Sequence, residues 1–201
     1  MSCSRLERAL VARCLAAAVA AAAVLLIAGC PPPAEYAFPQ WGYRVNIGGR
    51  DYKDRAGRVW WGERTYHPGS WGLWKDVESD VITTDSLIDG TRDLPLYQAV
   101  RRGNQISLRF DRIPHSTYVV KLHFCSIAPP ADGKPEVLKV EAEGKAVIPS
   151  FSILAVTKPA CAVVRYFDVL VTDGQLNIDL IDTATPPHKG ASLAAVEVLL
   201  K

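Results

Sequence analysis

The chain has 201 residues, 49% of them hydrophobic, with 23 Lys+Arg against 21 Asp+Glu and a formal net charge of +2. So even a balance speaks against nucleic acid as a partner, which favours a basic stripe, and the dipeptide Arg101-Arg102 is too little to reverse it. Once a leader is removed, about 160 residues suffice for one core burying roughly 70% of the unfolded surface, and no second domain is expected.

Residues 1–29 read as a leader. Arg5, Arg8 and Arg13 stand against one Glu7, and the uncharged Ala-rich run CLAAAVAAAAVLLIAG follows. That run is shorter than the roughly 20 apolar residues of a membrane span. A basic start, an apolar middle and small residues at the end describe a secretory signal. Ile27-Ala28-Gly29-Cys30 resembles the bacterial lipoprotein box, which implies acylation of Cys30. More than one acyl chain gives a stable anchor, at about 0.8 kcal/mol per buried methylene. The expectation is an exported lipoprotein of the cell envelope. Losing Arg5, Arg8, Arg13 and Glu7 brings 23 basic and 21 acidic side chains to 20 of each, so the mature chain is neutral. Residues 30–42, with Pro31-Pro32-Pro33, read as an extended tether.

From residue 43 to 201 no long segment shows a helical period. The stretch RVWWGERTYHPGSWGLW, residues 58–74, holds four of the five tryptophans, with Trp41 just upstream. Trp60 and Trp61 are neighbours on a predicted strand and so face opposite ways. One of the two is expected in the core, and the other must be covered by something else or stay partly exposed. Trp71 and Trp74 sit in Gly/Pro/Ser-rich sequence, where side chains more often face solvent or a partner. Further on, Ile106, Leu108 and Phe110 alternate with polar residues, as do Tyr118, Val120, Leu122 and Phe124. Leu138, Val140 and Ala142 precede a turn at Gly144. Phe167, Val169 and Val171 run into Asp173-Gly174, a two-residue hairpin signal, with Leu176, Ile178 and Leu180 beyond it. SLAAVEVLL reads as one closing strand. Short strands at this spacing predict an all-β sandwich.

Of the five cysteines, Cys125 and Cys161 remain after the leader and Cys30 are accounted for. Alternation places Cys125 on the polar face of its strand with Lys121 and His123, which favours a bridge to Cys161 in an oxidising compartment; two buried thiols are the alternative. Such a bridge would close a loop of about 36 residues, worth roughly 4 kcal/mol. No CxxC or HxxxH accompanies His123 and Cys125, so no metal is expected, and no cofactor either.

Several motifs resemble the malectin family. Val45-Asn46-Ile47-Gly48-Gly49 is similar to its opening strand and double-glycine turn. Asp54, Gly57 and Trp60 resemble its Asp-x-x-Gly-x-x-aromatic element. Leu96-Tyr97-Gln98-Ala99-Val100-Arg101, Tyr118 to Phe124, the Asp173-Gly174 segment and Ala195-Val196-Glu197-Val198 follow in the family's order. The resemblance covers residues 43–201. It implies a galactose-binding-like jelly-roll sandwich, non-catalytic, holding glycans by loop aromatics at one end. The aromatic of the family's Tyr-Gly element falls at Trp71, followed by Gly72. The other family contacts fall at Ala56, near Ala128 and Pro129, and near Lys189, where the aromatic and acidic residues are missing.

Indole faces suit the C–H face of a sugar ring, and nearby polar groups suit its hydroxyl rim. The candidate ligand-binding residues are therefore Trp71, Trp61, Trp74, Tyr66 and His67, with Glu63, Arg64 and Asp76 nearby. Glu141 and Glu143 share a strand face, side by side rather than opposed across a bond as glycoside hydrolysis needs. No serine elbow or HExxH is present, so no enzyme is expected. The partner is a glycan or, in a structural or docking lipoprotein using the same sandwich, an envelope protein.

Overall fold

The computed structural model describes residues 42–74, 78–128, 135–185 and 189–201. The expected leader, Cys30 and the tether lie outside the described residues, as do Trp41, Asp76 and Pro129.

Chain order gives β1 (Tyr43–Asn46), β2 (Tyr52–Lys53), β3 (Val59–Gly62), β4 (Trp71–Leu73) and β5 (Ser79–Thr83). After a 3-10 turn at Leu94–Leu96 come β6 (Ala99–Gly103), β7 (Gln105–Asp111), β8 (Ser116–Phe124), β9 (Leu138–Ala142) and β10 (Lys145–Phe151). One helical turn, α1 (Ile153–Val156), leads to β11 (Val163–Val171), β12 (Gln175–Asp182), β13 (Ala191–Leu193) and β14 (Ala195–Leu200).

A six-stranded sheet ordered β11-β8-β14-β1-β3-β2 faces a five-stranded sheet ordered β10-β9-β12-β7-β4, and β13-β6-β5 form a third, small sheet. The protein is a β-sandwich, as the period-two pattern predicts. Tyr118, Val120, Leu122 and Phe124 of β8 meet Ile106, Leu108 and Phe110 of β7 and Leu176, Ile178 and Leu180 of β12 in one apolar cluster. Each such fully buried side chain contributes about 1.5–3 kcal/mol.

The Glu143-Gly144 turn joins β9 to β10 as a true hairpin, with both residues at positive φ, 51° and 68°. That is the geometry whose twist matches flanking strands. Asp173-Gly174 differs from expectation. β11 pairs with β8 and β12 pairs with β7 and β9, so this turn carries the chain from one sheet to the other. Both strands send their apolar residues into the space between the sheets, and crossing over satisfies that as well as pairing would. SLAAVEVLL also divides. β13 joins the small sheet opposite β6, and after Ala194 the chain enters the centre of the six-stranded sheet as β14, between β8 and β1. Leu96 ends and Tyr97 caps a 3-10 turn, Leu94–Leu96, with Pro95 in its first turn.

A second apolar cluster covers the outer face of the six-stranded sheet near the C-terminal end of β8. It contains Trp60, Ile88, Leu96, Tyr97, Val100, Cys125, Ala194 and Ala195. The face carrying Lys121, His123 and Cys125 is therefore not a solvated one. Cys125 is fully buried there, and burial, with nearby Cys161, pushes its thiol up to about 12. The expected bridge is not formed. Cys125 and Cys161 are both free thiols, although the Ser126 carbonyl accepts from the Ala160 N–H and so brings their segments side by side.

Candidate functional site

The tryptophan-rich segment folds as β3, a returning loop and β4. On β3 the alternation operates as expected. Trp60 turns into the second cluster, 1% exposed, and Trp61 turns to the rim of the main one, half-buried. The family's Asp-x-x-Gly-x-x-aromatic element proves architectural here. One Asp54 oxygen accepts from the Ala56 and Arg58 N–H groups at 3.0 and 2.8 Å. The other accepts from Trp60 Nε1 at 3.0 Å and Arg58 Nε at 2.6 Å. Burial alone would raise the Asp54 carboxyl. The donors from Trp60 and Arg58 outweigh it and hold the group below its ordinary value.

Trp71 corrects the expectation of an open platform. It is 2% exposed, stacked on Phe110 with centroids 6.4 Å apart, and covered on the Arg64 side by a guanidinium 4.1 Å from its ring. The reason lies in Gly72. A Cβ there would stand 2.5 Å from the Arg64 carbonyl oxygen and 2.7 Å from the Tyr66 nitrogen. Residues 64–66 thus lie directly over β4, held by Leu73 N–H to Arg64 O and Tyr66 N–H to Leu73 O, both 2.8 Å. β4 in turn pairs with β7, placing Trp71 opposite Phe110 in the core.

Trp74 stays open, 40% exposed, its ring 5.4 Å from that of Tyr66 with a 33° tilt. The Tyr66 hydroxyl donates to Asp111 at 2.7 Å, and the Gly69 N–H donates to the same oxygen at 2.6 Å. His67 is exposed on the same turn, which the Ser70 hydroxyl closes by donating to the His67 carbonyl and accepting its N–H. Arg109 lies beside Trp74, 5.8 Å from the ring, with both terminal nitrogens on Asp179.

Trp61 borders an open cleft of about 600 Å³ lined by Gly42, Arg44, Gly57, Arg58, Val59 and Trp61. Its origin is topological. β1 and β3 run parallel and pair at Val45–Trp61 and Asn46–Gly62, with no pairing recorded ahead of these residues, where the cleft lies. Trp61 rests on Tyr43 and Trp71, with centroids 6.1 and 6.0 Å away. Gly42 keeps the floor bare, because a Cβ there would meet the Val198 oxygen at 2.1 Å. Arg44 Nε donates to Glu197 at 3.0 Å and Arg58 Nε to Asp54. Glu197 also faces His123, at 3.3 Å, and Lys121, at 3.9 Å. Burial would raise its carboxyl, and these partners together with Arg44 hold it below the ordinary value. Of the residues lining this cleft, only Trp61 is among the candidates from the sequence.

The loops at Ala128 and Lys189, where two of the family's other contacts fall, lie elsewhere, whereas Ala56 adjoins Gly57 of the cleft. The Lys189 N–H donates to Asn104 Oδ1, just ahead of β7, whereas Trp71 pairs at Phe110 near its far end. Six residues of strand at about 3.3 Å each separate them by roughly 20 Å. Arg102 clamps the loops shut, donating to the Lys189 carbonyl at 2.7 Å and the Ala128 carbonyl at 2.6 Å. The space left beside Arg102, Ser126, Glu136 and Ser192 is about 10 Å³, room for one water. Lys189 itself is held by Asp80 and Glu78.

Glu141 pairs with Lys139 at 2.8 Å, and Glu143 accepts from the Asn177 N–H at 2.7 Å. Among the described residues no three His, Cys, Asp or Glu side chains gather as metal ligands.

The two facing sheets place the chain among β-sandwich domains. The Malectin domain family model matches residues 42–188, and the chain belongs to that family. No curated protein matches the chain. Among solved structures it is similar to Bacteroides uniformis β-glucuronidase 2 covalently bound to cyclophellitol-6-carboxylate aziridine, with TM-score 0.70 and 20% identity over 82% of this chain and 18% of that one. It is also similar to the extracellular domain of ANXUR1 from Arabidopsis thaliana, with TM-score 0.66 and 15% identity over 80% of this chain and 48% of that one. The plant receptor-like kinase FER gives TM-score 0.64 and 19% identity, covering 79% and 48%. The chain thus spans under a fifth of that glucuronidase and about half of those plant structures, and the likeness is one of fold.

Proposed function

We propose that the chain is a non-catalytic carbohydrate-binding module whose ligand site is the Trp61 cleft. The observation that carries this reading is the open cleft itself, lined by the half-buried Trp61. The Tyr66–Trp74 pair offers a second, flatter aromatic surface. Trp71 supports Trp61 from below and does not meet the ligand. Tryptophan fluorescence should shift on titration with a bound glycan, and Trp61→Ala should abolish the shift while the melting temperature changes little. A single stacked ring implies affinities of roughly millimolar to micromolar.

The leader and Ile27-Ala28-Gly29-Cys30 support export and a lipid anchor on the envelope. Metabolic labelling with palmitate should mark the wild-type chain and not Cys30→Ala. The second reading is a docking or structural lipoprotein, favoured by Tyr166 and Leu170, which stand 73% and 62% exposed on the edge strand β11. Silence across a broad glycan panel, with specific capture of an envelope protein lost in Tyr166→Lys, would replace the first reading with this one.

A further inference from the structure

An edge strand leaves every second N–H and C=O unbonded, so edges decide what a sandwich can pair with. The two large sheets end at β11, β2, β10 and β4. The last three are blunted. β2 has two residues, and β4 has three, bridged at Leu73 by Thr65. β10 carries Lys145, Pro149 and two register shifts against β9. β11 is different. It pairs with β8 over nine consecutive residues without a bulge, and it contains neither proline nor lysine.

The hydrogen-bond phase shows what its open side offers. The Thr117 and His123 carbonyls of β8 accept from the Lys201 and Ala194 N–H groups, so odd-numbered residues of β8 bond toward β14. Even-numbered ones therefore bond toward β11, and the register Val120–Phe167 passes that bonding to the odd-numbered residues of β11. The N–H and C=O groups of Val164, Tyr166, Asp168 and Leu170 are left facing outward. Ala162, next in the same phase, bears this out by giving its N–H to the Asp89 carbonyl at 2.8 Å. Beyond it, no backbone group among the described residues meets the other four. Their side chains are also the exposed ones of the strand.

We infer that a second copy of this chain occupies this edge: two β11 strands pair antiparallel about a two-fold axis at Phe167, joining the two six-stranded sheets into one. Asp89 closes the open window at Ala162 and the Asp173-Gly174 turn ends it beyond Leu170, so Phe167 is its midpoint. That register sets Val164 against Leu170 and Tyr166 against Asp168, each twice. Apolar meets apolar. The Tyr166 hydroxyl, with no hydrogen bond among the described residues, gains the Asp168 carboxylate as acceptor, and Lys121 stands opposite Tyr166 on β8 in the same row. Sliding two residues one way would oppose Asp168 to its own copy, and the other way Val164 to Asp168, both unfavourable. A net charge of +2 puts little repulsion between copies. One strand pair falls short of the roughly 1,200 Å² of stable complexes, so the dimer forms at micromolar concentrations or above. β11 lies four strands from β3, and the inference stands apart from what the Trp61 cleft binds.

The test is sedimentation equilibrium of the full chain in a detergent matched to the density of the buffer. The wild-type chain should dimerise as its concentration rises. Tyr166→Pro removes an outward N–H while leaving the β8 ladder intact, and should weaken the dimer about tenfold or more. Val164→Glu and Leu170→Lys should each do the same, by setting a charge against an apolar side chain. Together in one chain they should restore wild-type association, because the inferred register alone places those two positions opposite each other. Melting curves check that each variant folds; should Tyr166→Pro fail to, the charge pair carries the test. A chain that stays monomeric to about millimolar concentration would overturn the inference. So would a dimer indifferent to all three single substitutions, or a double variant that fails to recover. A monomeric chain that takes an extended segment of another protein on β11 would give the edge to the docking reading instead.

Discussion

The Trp61 side and the Lys189 end belong to one sandwich, yet the described residues leave a wide cleft at the first and almost no free space at the second. At the first, parallel strands part, and glycines at 42 and 57 keep side chains out of the gap, leaving about 600 Å³. At the second, one guanidinium ties two loop carbonyls together and leaves about 10 Å³. Arginine serves both places in opposite ways. Arg102 turns its donors onto backbone carbonyls; Arg44 and Arg58 anchor through Nε to Glu197 and Asp54, and among the described residues their terminal nitrogens have no hydrogen-bond partner. Where a sandwich can bind is thus decided less by its fold than by where the donors of a few side chains go.

That contrast can be tested by damaging each side. The largest effect is expected from Trp71→Ala, which empties the space beneath Trp61 and should cost about 3–5 kcal/mol in urea unfolding. If that variant kept wild-type stability and lost only ligand binding, Trp71 would be a contact residue after all. Next comes Arg102→Ala, which leaves two loop carbonyls without their donor and should cost about 1–3 kcal/mol. Binding at the Trp61 cleft should survive it; loss of binding would place the ligand at the Lys189 end. The smallest effect is acid loosening of the open side. Asp54 and Glu197 titrate below their ordinary values of 3.8 and 4.5 in the folded state. The stability they contribute is fully present above those values and is lost as pH falls through the lower folded ones. Urea midpoints should therefore drop as pH is taken from 5 toward 3, and Asp54→Asn should flatten that slope.

Much of the sandwich was legible because period-two alternation reports one buried face. It found β7, β8, β9, β11 and β12, and it separated Trp60 from Trp61. It failed where burial is two-sided or the strand is too short to show a period. The outer face of β8 read as solvated because Lys121, His123 and Cys125 lie on it. What covers that face is the turn around Leu96 and Tyr97, whose hydroxyl hydrogen-bonds His123 Nδ1 at 2.7 Å, and no local pattern announces such a lid. β4 has three residues with glycine at its centre, so Trp71 looked like a loop residue. The Asp173-Gly174 signal located a turn correctly, but nothing in a turn states which sheet the next strand enters. At the site, aromatic residues were visible from composition. The cleft was not, since it arises where β1 and β3 lack pairing, and strand pairing of residues so far from adjacent in sequence leaves no local trace.

The position of β14 bears on when this molecule can fold at all. Residues 195–200 form the third strand from the β11 edge of the six-stranded sheet, bonded to β8 on one side and β1 on the other. Until they emerge from the ribosome, the first and eighth strands have nothing between them, and the large sheet exists only as two separate halves. Closure then requires contacts between segments some 150 residues apart, a slow route for a chain.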